Sequence, residues 1–318
     1  MQDRNLTRRQ ALLAGAAGVT TFLVSSPLAR AAAAAPAAAA GTVSVSGELT
    51  VNRMGFGAMR ITGPDIWGEP KDPAQARAVL HRALDLGVNF IDTADAYGPE
   101  VSERLIAQAL YPYPRGLLIA TKGGLMRPSP VQWVPNGRPA HLREACEASL
   151  QRLRLERIGL YQLHHIDPAV PLEESVGELA RLQKEGKIGH VGVSNFTVEE
   201  LARARRIVPI ASVQNRYNVS DRSSEDVLEV CTRERIVFLP WAPIASGSAQ
   251  RLERGQGGGL EAVAQARGVS VLSLALAWLL AKSPMMLPIP GTSSPEHLEE
   301  NVAAARLQLT DADMSRIG

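Results

Sequence analysis

Aromatic residues and cysteines are scarce in this chain of 318 residues, of which only 4% are aromatic. So few rings argue against an aromatic stacking surface for single-stranded nucleic acid. The two cysteines, Cys146 and Cys231, stand in helix-like segments and belong to no CxxC pair or zinc-ligand spacing. The sequence does not exclude a disulfide between them, but two inert thiols in the core are the favoured interpretation.

An excess of one charge is also missing, since the formal net charge is only +2. The first 40 residues hold four arginines and one aspartate, which contribute +3, so the rest of the chain is near −1. The sequence pI of about 8.6 therefore describes the N-terminal segment. Without a basic surface, nucleic-acid binding loses its main electrostatic support, and we expect no nucleic-acid partner.

Long hydrophobic runs are missing as well, and the apolar stretch at residues 11–24 is short and rich in Ala and Gly. It follows Arg8 and Arg9 and precedes the small-residue stretch SSPLARAAAAAPAAAA, an order typical of twin-arginine export signals. A stable membrane anchor would need roughly 20 strongly apolar residues. We therefore expect residues 1–40 to be a twin-arginine signal with an Ala-rich linker. The export machinery would carry the protein across the cytoplasmic membrane; a disordered tail with a chance arginine pair is the alternative.

After residue 41, short apolar runs alternate with helical patterns in eight successive strand–helix units. The strand-like runs are RMGFGAM, VNFID, LLIATK, RIGLYQLH, IGHVGVSN, IASVQN, IVFLPWAP and MMLPIPG. Strands separated by helices run parallel, and eight units over roughly 275 residues predict an α/β fold, a (β/α)8 TIM barrel, as one domain spanning 41–318. An open doubly wound sheet is the competitor. Its GxGxxG is missing, because GFGAMR lacks the third Gly, and GQGGGL is not a phosphate loop.

In a barrel of this kind the chemistry lies at the C-terminal ends of the strands. The stretch NFIDTADAYGPE ends a strand in Asp92 and places Tyr97 on the following loop, the next strand ends in Lys122, and the one after it in His164 and His165. Singly, each residue has a purely structural explanation, such as a turn cap or a hydrogen-bonded core histidine. Together they point into one small space, where burial would be costly without mutual pairing.

Charge logic assigns a role to each of these residues. Asp92 can keep Lys122 protonated, and the ammonium is then expected to lower the pKa of Tyr97 from its usual value of about 10. Tyr97 can exchange a proton with an alcohol, and His164 can orient a carbonyl oxygen. A hydride must then come from a cofactor. A metal-dependent hydrolase or isomerase is the least favoured alternative. Adjacent histidines on a strand face opposite sides, so they are poorly placed to bind the same metal ion.

Residues from about 48 to 316 resemble the aldo-keto reductase family in several motifs that occur in family order. These are GVNFIDTADAYG, LLIATKGG, LYQLHHID, IGHVGVSNF, VQNRYN and LPIPGTSSPEHLEENV. The resemblance implies a catalytic tetrad of Asp92, Tyr97, Lys122 and His164. It also implies hydride transfer between NADP(H), or else NAD(H), and a small carbonyl or alcohol substrate. A dinucleotide-binding sensor or regulatory barrel with little turnover is the alternative.

The same resemblance implies which residues hold the dinucleotide. At the nicotinamide end they are Gly57, Ala58, Met59, Asp92, Ser194, Asn195, Gln214 and Trp241, and along the pyrophosphate Pro243, Ile244 and Gly247. At the adenosine end they are Gly291, Thr292, Ser293, Ser294, His297, Glu300 and Asn301. Many relatives hold the 2′-phosphate of NADP with a Lys and an Arg where this chain has Gly291 and His297. Hydroxyl groups and helix N-terminal amides remain for that task.

Two further stretches, MRITGPDIWGEP and YPYPRGLL, resemble the pyridoxal-reductase-like branch of the family. Substrate specificity in a barrel is set by its loops, here residues 61–70, residues 126–139 and the C-terminal tail. Trp67 and Trp133 lie in two of these loops, where they either line an apolar substrate pocket or serve as packing plugs.

Overall fold

Eleven strands lie in residues 35–243 and 258–318, which are the residues that the computed structural model describes. They are β1 (Thr42–Val45), β2 (Leu49–Asn52), β3 (Phe56–Gly57), β4 (Phe90–Asp92), β5 (Leu118–Gly123), β6 (Leu125–Ser129), β7 (Gln132–Pro135), β8 (Ile158–Leu163), β9 (Ile188–Ser194), β10 (Ile210–Arg216) and β11 (Val237–Trp241). Seven of them form one sheet in the order β11-β10-β9-β8-β5-β4-β3, and every neighbouring pair is parallel.

The predicted eighth strand closes this sheet into a barrel, although its hydrogen bonding is incomplete. Segment 285–290 lies between β11 and β3: Leu287 donates its N–H to the carbonyl of Phe238 at 2.9 Å, and Gly55 donates to the carbonyl of Pro288 at 2.9 Å. Two prolines in the segment have no N–H to give, so a regular ladder cannot form there. The prediction of a (β/α)8 barrel is confirmed.

Helices follow the barrel strands as the sequence pattern predicts. Their bounds are Pro73–Asp85, Val101–Leu110, Pro139–Leu153, Leu172–Lys184, Val198–Arg205, Glu225–Glu234, Gly258–Arg267, Val271–Lys282, Pro295–Ala303 and Asp311–Ile317. The first of these shows how local sequence sets the limits. The Asp72 carboxylate accepts the N–H of Gln75 at 2.9 Å as an N-terminal cap. Gly87, at φ +83°, turns the chain after the helix, as predicted.

The helices within residues 35–243 and 258–318 can be compared with the dimensions of a membrane. No single helix there combines the length and the apolar composition of a membrane span; Gly259–Arg267 and Val271–Lys282 meet that test only as a pair, with a bend of 106° between them.

The apolar core has two main layers. The larger one fills the space between the strands and the surrounding helices, and it includes Leu80, Leu179 and Phe238. The second lies inside the barrel, where β1 and β2 form an antiparallel hairpin whose buried side chains pack on Phe90, Leu118 and Leu160 from the barrel strands. This hairpin, which the sequence reading did not predict, closes the N-terminal end of the barrel. The chemistry is therefore left to the opposite end.

The turn Pro36–Ala40 packs on the barrel, although the sequence reading assigned it to the linker. Ala37 is fully buried, and its N–H donates to the carbonyl of Leu86 at 3.0 Å. The expected signal itself lies outside the described residues. Cys146 and Cys231 are free and buried, and burial raises the pKa of both thiols to about 12, which agrees with two inert core residues.

Candidate active site

A buried ion pair lies at the C-terminal ends of β4 and β5. Lys122 is 0% exposed, and its Nζ donates to Asp92 Oδ2 at 2.7 Å and to the carbonyl of Thr93 at 2.9 Å. Burial by itself would lower the pKa of Lys122, but Asp92 and the Tyr97 hydroxyl outweigh it and raise the pKa above its ordinary value. The ammonium therefore stays charged across the neutral pH range.

Tyr97 completes this cluster from the turn that follows β4. Its hydroxyl accepts a third hydrogen bond from Lys122 Nζ at 3.2 Å, and the ammonium lies 4.9 Å from the centre of its ring. Burial raises the pKa of Tyr97, whereas Lys122 lowers it, and the net direction is upward. The expectation of a lowered pKa is therefore wrong in direction, because burial outweighs the ammonium. The phenol is held in its acid form, ready to donate.

His164 follows β8 and completes the predicted tetrad. Its ring meets that of Tyr97 edge to face, with 5.7 Å between centroids. Burial, with help from Lys122, lowers the pKa of His164 well below its ordinary value, so the imidazole is neutral. Its Nδ1 is enclosed and has no hydrogen-bond partner among the described residues, so a hydrogen bond to a bound molecule falls to Nε2. His165 is exposed and bonds instead to the carbonyl of Ile166 at 2.9 Å.

Two glutamine amides hold the other oxygen of Asp92. Gln214 Nε2 donates to Asp92 Oδ1 at 2.8 Å, and Gln162 Nε2 donates to the same atom at 3.1 Å. Gln214 was expected at the nicotinamide, and here it also fixes the orientation of the carboxylate. The sequence analysis missed Gln162, although it lies on β8 two residues before His164, a spacing that places both side chains on the same side of the extended chain.

A second layer of charge lies behind Tyr97, and the sequence reading missed it too. Glu103 is fully buried; it accepts hydrogen bonds from Thr121 Oγ1 and from Arg152 Nε, both at 2.6 Å. Asp95 lies nearby as a half-buried residue whose Oδ1 is enclosed without a partner among the described residues. Burial, together with the Glu103 carboxylate, raises the pKa of Asp95 to about 8.

Three residues expected at the nicotinamide form one connected group at the ends of β9 and β11. Asn195, at φ +61°, donates from Nδ2 to the Ser194 hydroxyl at 3.1 Å, and it accepts from the indole N–H of Trp241 at 2.9 Å. Ser194 in turn donates to the carbonyl of Gln214 at 2.8 Å. These bonds fix the Trp241 indole beside the cavity described next.

A cavity of about 610 Å³ opens above the tetrad. Its walls are Gly57, Met59, Arg60, Asp92, Tyr97, Leu125, Trp133, His164, Ser194, Asn195, Gln214, Trp241, Ala242, Pro243, Leu272, Ile289, Pro290 and Gly291. Ala58 is not a wall residue; it is buried, and its carbonyl accepts a hydrogen bond from Ser102 Oγ. Ile244 and Gly247, expected along the pyrophosphate, lie outside the described residues.

The residues expected at the adenosine end cluster around the start of helix Pro295–Ala303. Thr292 and Ser293 line a groove of about 580 Å³ that meets the first cavity at Gly291. Ser294 caps the helix by accepting the N–H of His297 at 3.2 Å. Asn301 is buried in the same helix, and Glu300 lines a further pocket that shares Leu272 with the first cavity.

Gly291 is also a point of close backbone contact. A Cβ atom added there would lie 2.4 Å from the carbonyl oxygen of Gly57, and one added at Gly57 would lie 2.5 Å from the carbonyl of Ile289. A lysine at position 291 would therefore require this backbone to shift. The cavity, the groove that meets it and the hydroxyl groups near the helix start suit a dinucleotide cofactor.

Comparisons with known proteins by sequence and by structure agree with one another. A profile of the aldo/keto reductase family matches residues 53–318. An uncharacterized oxidoreductase of Schizosaccharomyces pombe is 50% identical over 287 residues, covering 90% of this chain and 92% of that protein. Pyridoxine 4-dehydrogenase of Escherichia coli is 39% identical over 277 residues, covering 85% and 95%. A solved aldo-keto reductase from Klebsiella pneumoniae in complex with NADPH has a TM-score of 0.72 and 28% identity, covering 87% and 93%.

Proposed function

Since the chain belongs to the aldo/keto reductase family, we propose that it is an NADP(H)-dependent carbonyl reductase with Tyr97 as the general acid. One observation carries this proposal. A fully buried ammonium at Lys122 bonds both the Asp92 carboxylate, at 2.7 Å, and the Tyr97 hydroxyl, at 3.2 Å, on the wall of the large cavity. A structural ion pair would not need a phenol as its third member.

The chain's own residues account for the proton side of the reaction. NADPH, when bound, supplies the hydride that is added to the carbonyl carbon. Tyr97 donates its phenolic proton to the carbonyl oxygen, so that an alcohol forms, and Lys122 stabilises the phenolate left behind. His164, neutral and edge-on to Tyr97, offers a ring N–H that orients the carbonyl oxygen. Asp92, fixed by two amides, keeps Lys122 charged throughout the cycle.

The cofactor would be held along the cavity by groups already in place. Ser194, Asn195 and Gln214 offer polar atoms to the nicotinamide amide, and the Trp241 indole offers a face for the ring. The hydroxyl groups of Thr292 and Ser293, just before helix Pro295–Ala303, would hold the adenosine phosphate. The NADPH-bound relative supports NADP(H) as the cofactor of this chain as well.

For the substrate, we propose an aromatic aldehyde of the pyridoxal type, with the matching alcohol as product. The proposal is supported by the 39% identity to the E. coli pyridoxine 4-dehydrogenase and by the two stretches that resemble that branch. Pyridoxal should then be reduced with a higher kcat/KM than glyceraldehyde. The reverse order of the two kcat/KM values would contradict the pyridoxal assignment and leave the reductase assignment standing.

The reductase assignment is tested by NADPH oxidation with a panel of aldehydes, using the wild type and Tyr97→Phe. We expect kcat/KM to fall by about 10²–10⁴-fold in the variant, because only the proton donor is lost. Tyr111→Phe, a change of an exposed phenol, serves as a matched control. Full activity in Tyr97→Phe would refute the mechanism. Tightly bound cofactor with negligible turnover across the panel would favour a dinucleotide-binding sensor instead.

We further propose that residues 1–40 direct export through the twin-arginine machinery. The proposal is supported by the order of Arg8, Arg9, the apolar stretch and the small residues in the sequence. Cell fractionation of a bacterium that makes the full chain should place the protein outside the cytoplasm. Replacing both Arg8 and Arg9 by Lys should retain it inside, whereas Arg4→Lys should not. Equal distribution of all three proteins would overturn the proposal.

A further inference from the structure

Arg127 lies on the hairpin formed by β6 and β7, beside the cavity, and its guanidinium contacts two tryptophans. Its Cζ lies 3.6 Å from the ring centroid of Trp133 and 5.6 Å from that of Trp67. Arg127 is only 7% exposed, which is unusual for an arginine that forms no salt bridge among the described residues. Its charged donors are used by three backbone carbonyls, those of Asp65, Ile66 and Pro130, at 3.1, 3.2 and 2.7 Å.

These carbonyls connect Arg127 to the catalytic turn. The carbonyl of Ile66 also accepts the N–H of Gly98, the residue after Tyr97, at 3.2 Å, and Gly68 donates to the carbonyl of Gly98 at 2.7 Å. Asp65 and Ile66 both have left-handed backbone conformations, at φ +56° and +58°. That conformation is strained for a β-branched residue, so it needs bonds that hold it. Arg127 supplies two of them.

Trp133, which contacts Arg127, also lines the substrate cavity. Its ring lines the cavity together with Leu125, and it lies edge-on to His164 with 6.5 Å between centroids. It belongs to an exposed two-stranded hairpin whose tip residue, Val131, is 84% exposed. A hairpin of two strands is marginally stable by itself. The position of the Trp133 indole over the tetrad therefore depends on the contact with Arg127.

We propose that Arg127 is a positioning residue that fixes Trp133 as the wall of a substrate subsite for flat aromatic rings. The inference rests on the proposed reductase function and names the substrate class of that site. Rings gain from contact with the fixed indole, and short aliphatic carbonyls do not. Three of the four outer N–H groups of Arg127 donate to carbonyls and its Nε is enclosed, which leaves little hydrogen-bonding capacity for an anionic group of a substrate.

The test compares kcat and KM for benzaldehyde and propanal in Arg127→Lys, Arg127→Met, Trp133→Ala and Trp133→Phe. Lysine keeps the charge but cannot stack or bond several carbonyls at once. We expect KM for benzaldehyde to rise roughly tenfold in Arg127→Lys, Arg127→Met and Trp133→Ala, and the ratio of kcat/KM for benzaldehyde to kcat/KM for propanal to fall by a similar factor. Trp133→Phe should restore most of the benzaldehyde affinity. The dissociation constant for NADP⁺ should stay unchanged in all four variants.

Arg154→Lys is the matched control, because Arg154 is exposed and contacts the ring of Tyr111, at 5.4 Å, elsewhere on the surface. Equal losses for both aldehydes, or no change in KM for benzaldehyde, would overturn the inference. If the Arg127 variants do not fold, the two Trp133 variants decide it by the same comparison. Failure of the wild type with every carbonyl would instead refute the proposed function, so the two failures are distinguishable.

Discussion

Removing the Lys122 ammonium should cost far more stability than removing an exposed cation. At the 2.7 Å that separates Nζ from Asp92 Oδ2, two unit charges attract by about 6 kcal/mol at an effective dielectric constant of about 20. The cost of taking both charges out of water offsets much of that attraction. What remains in Lys122→Met is a buried carboxylate without its cation, and breaking a buried pair in this way costs about 3–5 kcal/mol.

The assay is guanidinium unfolding followed by circular dichroism, with linear extrapolation to water. Lys122→Met should lose about 3–5 kcal/mol, whereas the double variant Lys122→Met/Asp92→Asn should recover at least about half of that loss, because no unpaired charge is left. Arg104→Met is the control: the Arg104–Glu69 pair is exposed, and its loss should cost no more than about 1 kcal/mol. Strictly additive losses in the double variant would refute the reasoning.

The stability lost in Lys122→Met should also depend on pH in a direction that the pKa of Lys122 sets. Because the pKa of Lys122 is raised in the folded chain, the stabilisation from this group is complete below the unfolded pKa of about 10.4. It is lost only as the pH rises through the higher folded value. The stability difference between wild type and Lys122→Met should therefore be constant from pH 7 to about pH 10 and shrink at higher pH. A difference that shrinks already between pH 7 and 9 would contradict the raised pKa.

Four further outcomes follow from the structure. Gly291→Ala should lower the free energy of unfolding by about 1–3 kcal/mol and weaken NADP⁺ binding, because its Cβ would meet the Gly57 carbonyl at 2.4 Å. Gly177→Ala, where only the end of a flexible side chain lies within reach, should be neutral or stabilising by up to about 1 kcal/mol in chemical unfolding. Asp95→Asn should exceed the wild type in stability at pH 8–9 and match it near pH 4. The pKa of Asp95 is raised to about 8 in the folded chain, so the wild type loses free energy of unfolding as the pH rises from about 4 to about 8, and asparagine does not. His164→Asn should lose less stability than the wild type on acidification below about pH 6.5. The pKa of His164 is lowered in the folded chain, so only the unfolded chain takes up a proton there. Equal slopes of the free energy of unfolding against pH for variant and wild type would contradict this.

The tetrad was accessible from sequence because strand ends in a parallel barrel meet at one edge. Asp92, Lys122 and His164 each end a buried apolar run, so their meeting follows from topology alone. The direction of the Tyr97 pKa did not follow, since sequence names the neighbouring ammonium but not the depth of burial. Likewise, sequence placed Gln214 at the site but gave no register that would pair its amide with Asp92.

The parts that sequence missed are those with weak periodicity. The hairpin of β1 and β2 has only four residues in each strand, too few for a clear alternation. The hairpin of β6 and β7 interrupts its ladder between Met126 and Ser129, so its pattern is broken. Segment 285–290 was expected as a full strand, and its prolines explain why only part of the ladder forms.

The hairpin of β1 and β2 also bears on how Tyr97 regains its proton after each turnover. It fills the N-terminal end of the barrel with Val43, Val45 and Val51, beneath the apolar side chains of the strands. This apolar plug separates the tetrad from the N-terminal end of the barrel. A proton that Tyr97 gives to a product can therefore be replaced through the cavity mouth, once the alcohol has left and water has entered.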